Sequence, residues 1–350
     1  LEDMPHDHVD YGRLIPIKQA LLNAAAERFL SNSGHGLKGD FEDFQHRHGE
    51  RWLDDYALFR VLKSLHGERA WPEWDKDYVH RDPAALARLS DDYRAAIENI
   101  KVTQFLFEHQ WNLFKAGAEE RGICLFGDMP IYIALDSSDA WAHPQRLLLN
   151  EDGQPSFIAG VPPDYFSETG QLWGNPVYRW NVLKKSDYRW WRERIAHNLK
   201  LFDALRIDHF RGLVAYWEVP AGEKAAINGR WVKVPVHDFL NILKKNFPDL
   251  PIVAEDLGLI TPDVTAVMNR FALPGMKVLM FAFAEDHPMH PYLPHTYREN
   301  FLVYTGTHDN NTVRGWFEGD ASTEDKRRLF RYLGREVPVE EIPWALIRLE

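Results

Sequence analysis

The stretch LFDALRID (201–208) is a short, nearly continuous apolar run that ends on an acid, Asp208. Such runs are typical of parallel strands buried on both faces. Three further runs have the same form, namely GICLFGD (122–128) ending on Asp128, PIVAE (251–255) ending on Glu255 and FLVYTGTHD (301–309) ending on Asp309. A fifth, MKVLMFAF (276–283), has no terminal acid. The pattern predicts parallel strands whose acids align at one edge.

Helical periods alternate with these runs and also precede them. Apolar positions recur at helical spacing in 11–30, 50–66, 83–120, 187–202, 236–247 and 262–271. Strands alternating with helices indicate an α/β protein. We therefore expect a mainly helical subdomain over 1–120 and a β/α domain over 121–350.

The spacing of the acids favours a barrel over a doubly wound sheet. One β/α unit of a barrel takes about 30 residues, and the intervals between the acids accommodate one or two such units. Both architectures align the carboxyl ends of their strands, but no glycine-rich phosphate loop follows any of the runs. We predict a (β/α)8 TIM barrel with inserted helical subdomains.

Several carboxylates on one rim suit acid/base and nucleophilic chemistry on a glycosidic bond. Arg206 and Asp208 lie two apart on one strand, so they share a face, and the guanidinium favours the ionised aspartate of a nucleophile. Partial burial and the adjacent Asp256 are expected to raise the pKa of Glu255 toward that of a general acid. The residues alone leave open whether the reaction retains or inverts configuration, and whether the acids merely cap helices.

A long segment, 137–186, is rich in aromatic residues between prolines and glycines. Its rings belong to Trp141, Tyr165, Phe166, Trp173, Tyr178 and Trp180. Long loops are usually functional or disordered, and this one is too aromatic for disorder. It is either a lid whose rings stack on sugar faces or a segment with a small hydrophobic core of its own.

Composition excludes several classes of partner. The formal net charge of −11 argues against nucleic acid and anionic membranes, and no apolar run approaches the length of a membrane span. The single cysteine, Cys124, excludes an internal disulfide and suits a reducing cytoplasm, where we expect a buried structural thiol. The N-terminal residues show no signal-peptide pattern. The histidine pairs and clusters lack ligand partners at metal-binding spacing, so we expect no metal site.

At the stretches around these acids the sequence resembles 4-α-glucanotransferases of the amylomaltase type, glycoside hydrolase family 77. The resemblance is carried, in family order, by WLDDYALFRVLK (52–63), GDMPIYIALDSSDAWAHP (127–144), GVPPDYFSETGQLWGNPVYRW (160–180), FDALRIDHFRGL (202–213), VAEDLGLITPDV (253–264), PGMKVLMFAF (274–283) and YTGTHDNNT (304–312). These stretches run across essentially the whole chain, and the long ones are highly specific.

The resemblance implies a role for each matching residue. Asp208 matches the nucleophile, Glu255 the acid/base and Asp309 the aspartate that stabilises the transition state. The residues that match substrate-contacting positions are Arg206, His308, Asp128, Tyr165, Phe166, Trp173 and Asn310. The implied reaction is retaining transfer between α-1,4-glucans (maltooligosaccharides, amylose and glycogen-derived dextrins), with no metal or organic cofactor.

The resemblance also implies that this chain holds an incomplete barrel. Five strand-like runs are present, whereas a (β/α)8 barrel needs eight, and the family's first strands and last strand have no counterpart here. An open barrel exposes strand edges and core, so we expect the 350-residue chain expressed alone to be poorly soluble or inactive. A well-behaved monomer that makes a ladder of glucans from maltotriose would refute this expectation.

Two other readings stay open. An α-amylase-like hydrolase or a branching enzyme would use the same three acids and the same retaining chemistry. A non-catalytic glucan-binding protein on a degenerate barrel is the alternative from another class, and the intact Asp208, Glu255 and Asp309 speak against it.

Overall fold

The structure, a computed structural model, describes residues 4–32, 34, 36–163, 167–258 and 260–350. It is a mixed α/β fold that divides into two compact units. Unit 1 comprises residues 1–125, 132–186 and 217–230, and unit 2 comprises residues 126–131, 187–216 and 231–350. Within the described residues, no helix combines the length and apolarity needed to cross a membrane.

Each predicted helical period contains a helix, although the long period over 83–120 is divided at Tyr93. The helices Lys38–His48 and Thr323–Leu333 and several short ones lie outside the predicted periods. In chain order the helices are α1 Tyr11–Ser31, α2 Lys38–His48, α3 Leu53–Leu65, α4 Lys76–Val79, α5 Pro83–Asp92, α6 Arg94–Glu119, α7 Ser138–Ala142, α8 Trp180–Lys185, α9 Arg189–Leu201, α10 Val236–Asn246, α11 Pro262–Phe271, α12 Val313–Gly315, α13 Thr323–Leu333 and α14 Ile342–Ile347.

The strands include all five of the predicted apolar runs. They are β1 Phe126–Pro130, β2 Phe157–Val161, β3 Gln171–Pro176, β4 Ala204–Asp208, β5 Ala215–Pro220, β6 Arg230–Lys233, β7 Ile252–Ala254, β8 Gly275–Val278 and β9 Phe301–Tyr304. The strands are shorter than the runs, and MKVLMFAF leaves the sheet after Val278 and continues as a 3₁₀ helix over Leu279–Phe283. A buried apolar run does not by itself distinguish strand from helix.

The strands form three sheets in the described part of the chain. Two are parallel, in the orders β1-β4-β7 and β8-β9, and the third is four-stranded in the order β3-β2-β5-β6. A single backbone hydrogen bond links the two parallel sheets, because the Ala254 N–H donates to the Pro274 carbonyl at 2.8 Å. This arrangement shows parallel β/α structure but no closed barrel.

Each unit has a hydrophobic core of its own. In unit 1, α1, α2, α3 and α6 contribute a buried aromatic cluster in which the Phe29 and Phe41 rings meet edge to face at 5.6 Å. In unit 2, the 3₁₀ helix over Leu279–Phe283 packs with α13 and α14. This packing explains why the apolar residues after Val278 are buried without a sheet partner.

Cys124 is exposed, so the expectation of a buried thiol was wrong. The run GICLF begins before the strand, which starts only at Phe126, and the neighbouring Ile123 is also exposed. Residues between the end of α6 and the start of β1 therefore form a surface connection, and their apolar character does not bury them.

Candidate active site

The parallel strands of unit 2 bring the predicted acids together around one arginine. In the β1-β4 ladder Asp128 lies opposite Arg206, and Asp208 is the last residue of β4. Glu255 follows β7 directly, and its N–H continues the ladder by donating to the Ile207 carbonyl at 3.0 Å. Asp309 lies in the loop after β9.

The Arg206 guanidinium is the centre of this group. Its side chain is only 7% exposed and it contacts three carboxylates. Nη1 donates to Asp128 Oδ2 at 3.0 Å, and Nη2 donates to Asp208 Oδ1 and, at 3.4 Å, to Asp309 Oδ2. A buried guanidinium is stable only when it is paired, so these contacts fix the three acids relative to one another.

His308 adds a second contact between two of these acids. Its Nε2 lies 3.3 Å from Asp128 Oδ2 and 3.4 Å from Asp309 Oδ1. Asn310 has a different place, because its Oδ1 accepts hydrogen bonds from the Thr307 N–H and hydroxyl and so shapes the turn that carries Asp309. His308 is two-thirds exposed and is available to a ligand.

The contacts of three of the acids do not match those of helix caps. Asp128, Asp208 and Asp309 accept hydrogen bonds from a side-chain guanidinium. Asp208 is held through Oδ1 by Arg206 Nη2, while its side chain as a whole is 42% exposed. Burial raises the pKa of Asp128, with Asp208 and Asp309 adding to it and Arg206 opposing it.

Glu255 has the environment of a general acid. Burial raises the pKa of its carboxyl to about 7, with the negative charge of Asp208 adding to the effect. Two backbone donors oppose this rise, since the Leu257 N–H donates to Oε1 at 2.7 Å and the His209 N–H to Oε2 at 2.8 Å. The neighbouring anion is therefore Asp208 and not Asp256, which the sequence had suggested.

Sequence reasoning missed the two backbone donors to Glu255. His209 adopts a left-handed conformation, with φ at 51°, in the turn directly after β4, and its N–H faces the carboxylate of Glu255. Burial and the nearby Arg211 lower the pKa of the His209 ring to about 4, so this imidazole is neutral. A bulky residue with positive φ is uncommon, and the motif RIDHF carries no signal for it.

The aromatic segment 137–186 is largely a packed structure. Trp141, Tyr178 and Trp180 are buried, and the Trp141 indole N–H donates to the Tyr78 carbonyl at 2.8 Å. These rings belong to the core of unit 1. Trp173 in β3 is 36% exposed. The predicted residues Tyr165 and Phe166 lie outside the described residues.

Among the residues that the structure describes, no group of three or more His, Cys, Asp or Glu side chains is arranged to hold a metal ion. The polar groups on the rim are instead organised around Arg206.

Comparisons with known proteins agree with one another. The family model described as 4-alpha-glucanotransferase matches residues 1–350. The chain is 47% identical to a 4-alpha-glucanotransferase of Synechocystis sp. over 344 residues, covering 97% of this chain and 67% of that protein. It is 45% identical to a 4-alpha-glucanotransferase of Thermus thermophilus over 359 residues, covering 100% of this chain and 71% of that protein.

A solved structure is similar as well. The amylomaltase from Streptococcus agalactiae in complex with acarbose superposes with a TM-score of 0.91 and 38% identity, covering 97% of this chain and 68% of that one. The chain thus spans about two thirds of the length of the proteins that it resembles.

Proposed function

The chain belongs to glycoside hydrolase family 77, the 4-alpha-glucanotransferase family, and we propose that Asp208, Glu255 and Asp309 carry out its glucan transfer. The observation that supports these roles is the Arg206 guanidinium, which holds Asp208 and Asp309 while Glu255 stands apart on backbone donors. The reaction transfers an α-1,4-glucan segment to the 4-hydroxyl of an acceptor glucan or glucose.

In the first step, Asp208 Oδ2 attacks the anomeric carbon of the donor. The bond to the leaving oxygen breaks, and the Glu255 carboxyl gives that oxygen its proton, so a shortened glucan departs and a glycosyl ester of Asp208 remains. The pKa of about 7 keeps Glu255 protonated below neutral pH, as this role requires.

In the second step, the Glu255 carboxylate takes the proton of the acceptor's 4-hydroxyl. The acceptor oxygen attacks the anomeric carbon, the ester bond to Asp208 breaks, and configuration is retained over the two displacements. Arg206 keeps the reacting carboxylate of Asp208 oriented, and Asp309, held by the same guanidinium, stabilises the transition state. Asp128 and His308 would contact sugar hydroxyls beside them.

The aromatic residues would help to select transfer over hydrolysis. We propose that Tyr165, Phe166 and Trp173 contact bound glucan and that Asn310 orients the loop of Asp309. Rings that stack on sugar faces exclude water from the glycosyl ester, which leaves the acceptor hydroxyl as the nucleophile. The substrates proposed are maltooligosaccharides, amylose and glycogen-derived dextrins.

For the architecture, we propose that β1, β4, β7, β8 and β9 are successive strands of a (β/α)8 barrel, with residues 1–120 as an inserted helical subdomain and 137–186 as the substrate-covering region. The parallel pairing and the Ala254–Pro274 hydrogen bond support this order. We propose a cytoplasmic location, which a chain with one cysteine suits.

The test of the proposed function is the product mixture from maltotriose. We expect protein expressed from its complete reading frame to give glucose together with maltooligosaccharides longer than maltotriose, at a constant concentration of reducing ends, because transfer conserves glycosidic bonds. Chromatography and a reducing-end assay measure both quantities.

Other activities give different mixtures. Rising reducing ends with only shorter sugars would identify a hydrolase, and α-1,6 linkages in the proton NMR spectrum would identify a branching enzyme. Unchanged maltotriose together with glucan binding in calorimetry would identify a protein that only binds glucans.

A further inference from the structure

The Glu255 carboxylate depends on the local backbone for its position. One of its donors, the Leu257 N–H, lies only two residues ahead in the same loop, at 2.7 Å from Oε1. This contact exists only while the peptide over 255–257 keeps its present conformation. Any contact that fixes this peptide therefore also fixes the position of the Glu255 carboxylate.

Asp256 attaches this peptide to the neighbouring strand. Its Oδ1 accepts a hydrogen bond from the Met276 N–H in β8 at 2.7 Å. Two residues earlier along each segment, the Ala254 N–H donates to the Pro274 carbonyl. The carboxylate of Asp256 thus takes the place of a strand carbonyl just where β7 has ended.

Gly275, next to Met276 in β8, leaves room for the Asp256 carboxylate. A Cβ atom on Gly275 would lie 2.6 Å from Asp256 Oδ2 and 2.8 Å from Oδ1, so only glycine allows this approach without displacement. Burial raises the pKa of Asp256, while the Met276 N–H and the charge of Lys277 oppose the rise. The two neighbouring carboxylates make separate contacts, because Asp256 accepts from the Met276 N–H whereas Glu255 accepts from the His209 and Leu257 N–H groups.

We propose that Asp256 is a positioning residue for Glu255: its hydrogen bond to the Met276 N–H fixes the peptide that places the Leu257 N–H against the catalytic carboxyl. This inference rests on the proposed function, because it assigns Asp256 a part in the acid/base step. Asp256 contacts no reacting atom in this scheme.

Loss of the Asp256–Met276 hydrogen bond is expected to change both the pKa and the orientation of Glu255. When the peptide relaxes, the Leu257 N–H leaves Oε1, and the ionised form of Glu255 loses one of its donors. The charged groups that face this carboxyl, Asp208 and Arg206, stay in place. The pKa of Glu255 then rises further above 7, and the carboxyl is less well aimed at the glycosidic oxygen.

The experiment compares Asp256→Ala, Asp256→Ser and Asp256→Asn in protein expressed from its complete reading frame, with kcat and KM for maltotriose measured from pH 5 to 9. We expect kcat to fall by roughly 10- to 100-fold in the alanine and serine variants, while KM stays within about twofold of the wild-type value. The basic limb of the kcat profile against pH should move to higher pH in both variants. Asparagine keeps an oxygen acceptor for the Met276 N–H and should restore kcat to within about threefold.

The matched control is Asp249→Ala, which removes an exposed acid just before the other end of β7 and should change neither kcat nor the basic limb. Thermal unfolding shows which variants fold. If the alanine variant fails to fold, the comparison of the serine and asparagine variants tests the inference. The serine hydroxyl is too short to reach the Met276 N–H, whereas the asparagine side chain can reach it.

An unshifted basic limb with unchanged kcat in a folded alanine or serine variant would overturn the inference. Equal losses in the serine and asparagine variants would also overturn it, because the charge and not the hydrogen bond would then matter. Wild-type protein without transfer contradicts the proposed function and this inference together, so the two failures are distinguishable.

Discussion

Replacement of Asp208 by asparagine will lower kcat/KM for glucan transfer by about 10⁴-fold or more, equivalent to roughly 5 kcal/mol of transition-state stabilisation. The amide oxygen is a poor nucleophile and forms no stable glycosyl ester, so the double displacement stops at its first step. The measurement is initial-rate disproportionation of maltotriose.

The fold should survive this substitution. The asparagine side chain can still accept the hydrogen bond from Arg206 Nη2, and its neighbours in β4 pair with β1 and β7 through the backbone. Glucan binding should therefore remain close to wild type, which calorimetry can check. Asp249→Asn, an exposed acid near the same sheet, is the matched control and should keep full activity. Undiminished turnover in Asp208→Asn would place the nucleophile elsewhere.

Replacement of Glu255 by glutamine will lower kcat by about 10³-fold, within the range that general acid/base catalysis contributes. The amide gives no proton to the leaving oxygen and accepts none from the acceptor. An activated donor such as α-maltosyl fluoride needs no protonation of its leaving group, so formation of the glycosyl ester should be largely restored.

The pH dependence of the wild-type protein follows from the same residue. Because the pKa of Glu255 is raised to about 7, the carboxyl is protonated and active as an acid below that pH, and kcat/KM should fall as the pH rises through about 7. The glutamine variant should lack this limb. Glu285→Gln, at an exposed site, should keep it. A basic limb that persists in Glu255→Gln would assign the titration to another group.

The placement of the acids that we propose as reacting groups was predictable from the sequence, because it depends on local patterns. Apolar runs that end on Asp208 and Glu255 predict strand ends, and strand ends of a parallel sheet meet at one edge. The pairing of Arg206 with Asp208 follows from the period of two along a strand. Resemblance to a family then supplied the roles.

Other features depend on register and turn geometry, which no local pattern specifies. The convergence of Asp128 and Asp309 on the same guanidinium requires the pairing of β1 with β4 and the path of the loop after β9. One backbone donor to Glu255, the His209 N–H, lies in a turn where His209 is left-handed. Proximity in sequence suggested the wrong neighbour for Glu255. Asp256 is adjacent to it in the chain, yet its carboxylate accepts a hydrogen bond from β8.

We expect Asp208 to become covalently glycosylated during transfer. Mass spectrometry can detect this in Glu255→Gln protein that is expressed from its complete reading frame and incubated with α-maltosyl fluoride. We expect a maltosyl adduct on the peptide that contains Asp208, and the loss of that adduct in the Asp208→Asn, Glu255→Gln double variant. An adduct on another residue, or no adduct while fluoride is still released, would show that Asp208 is not the nucleophile.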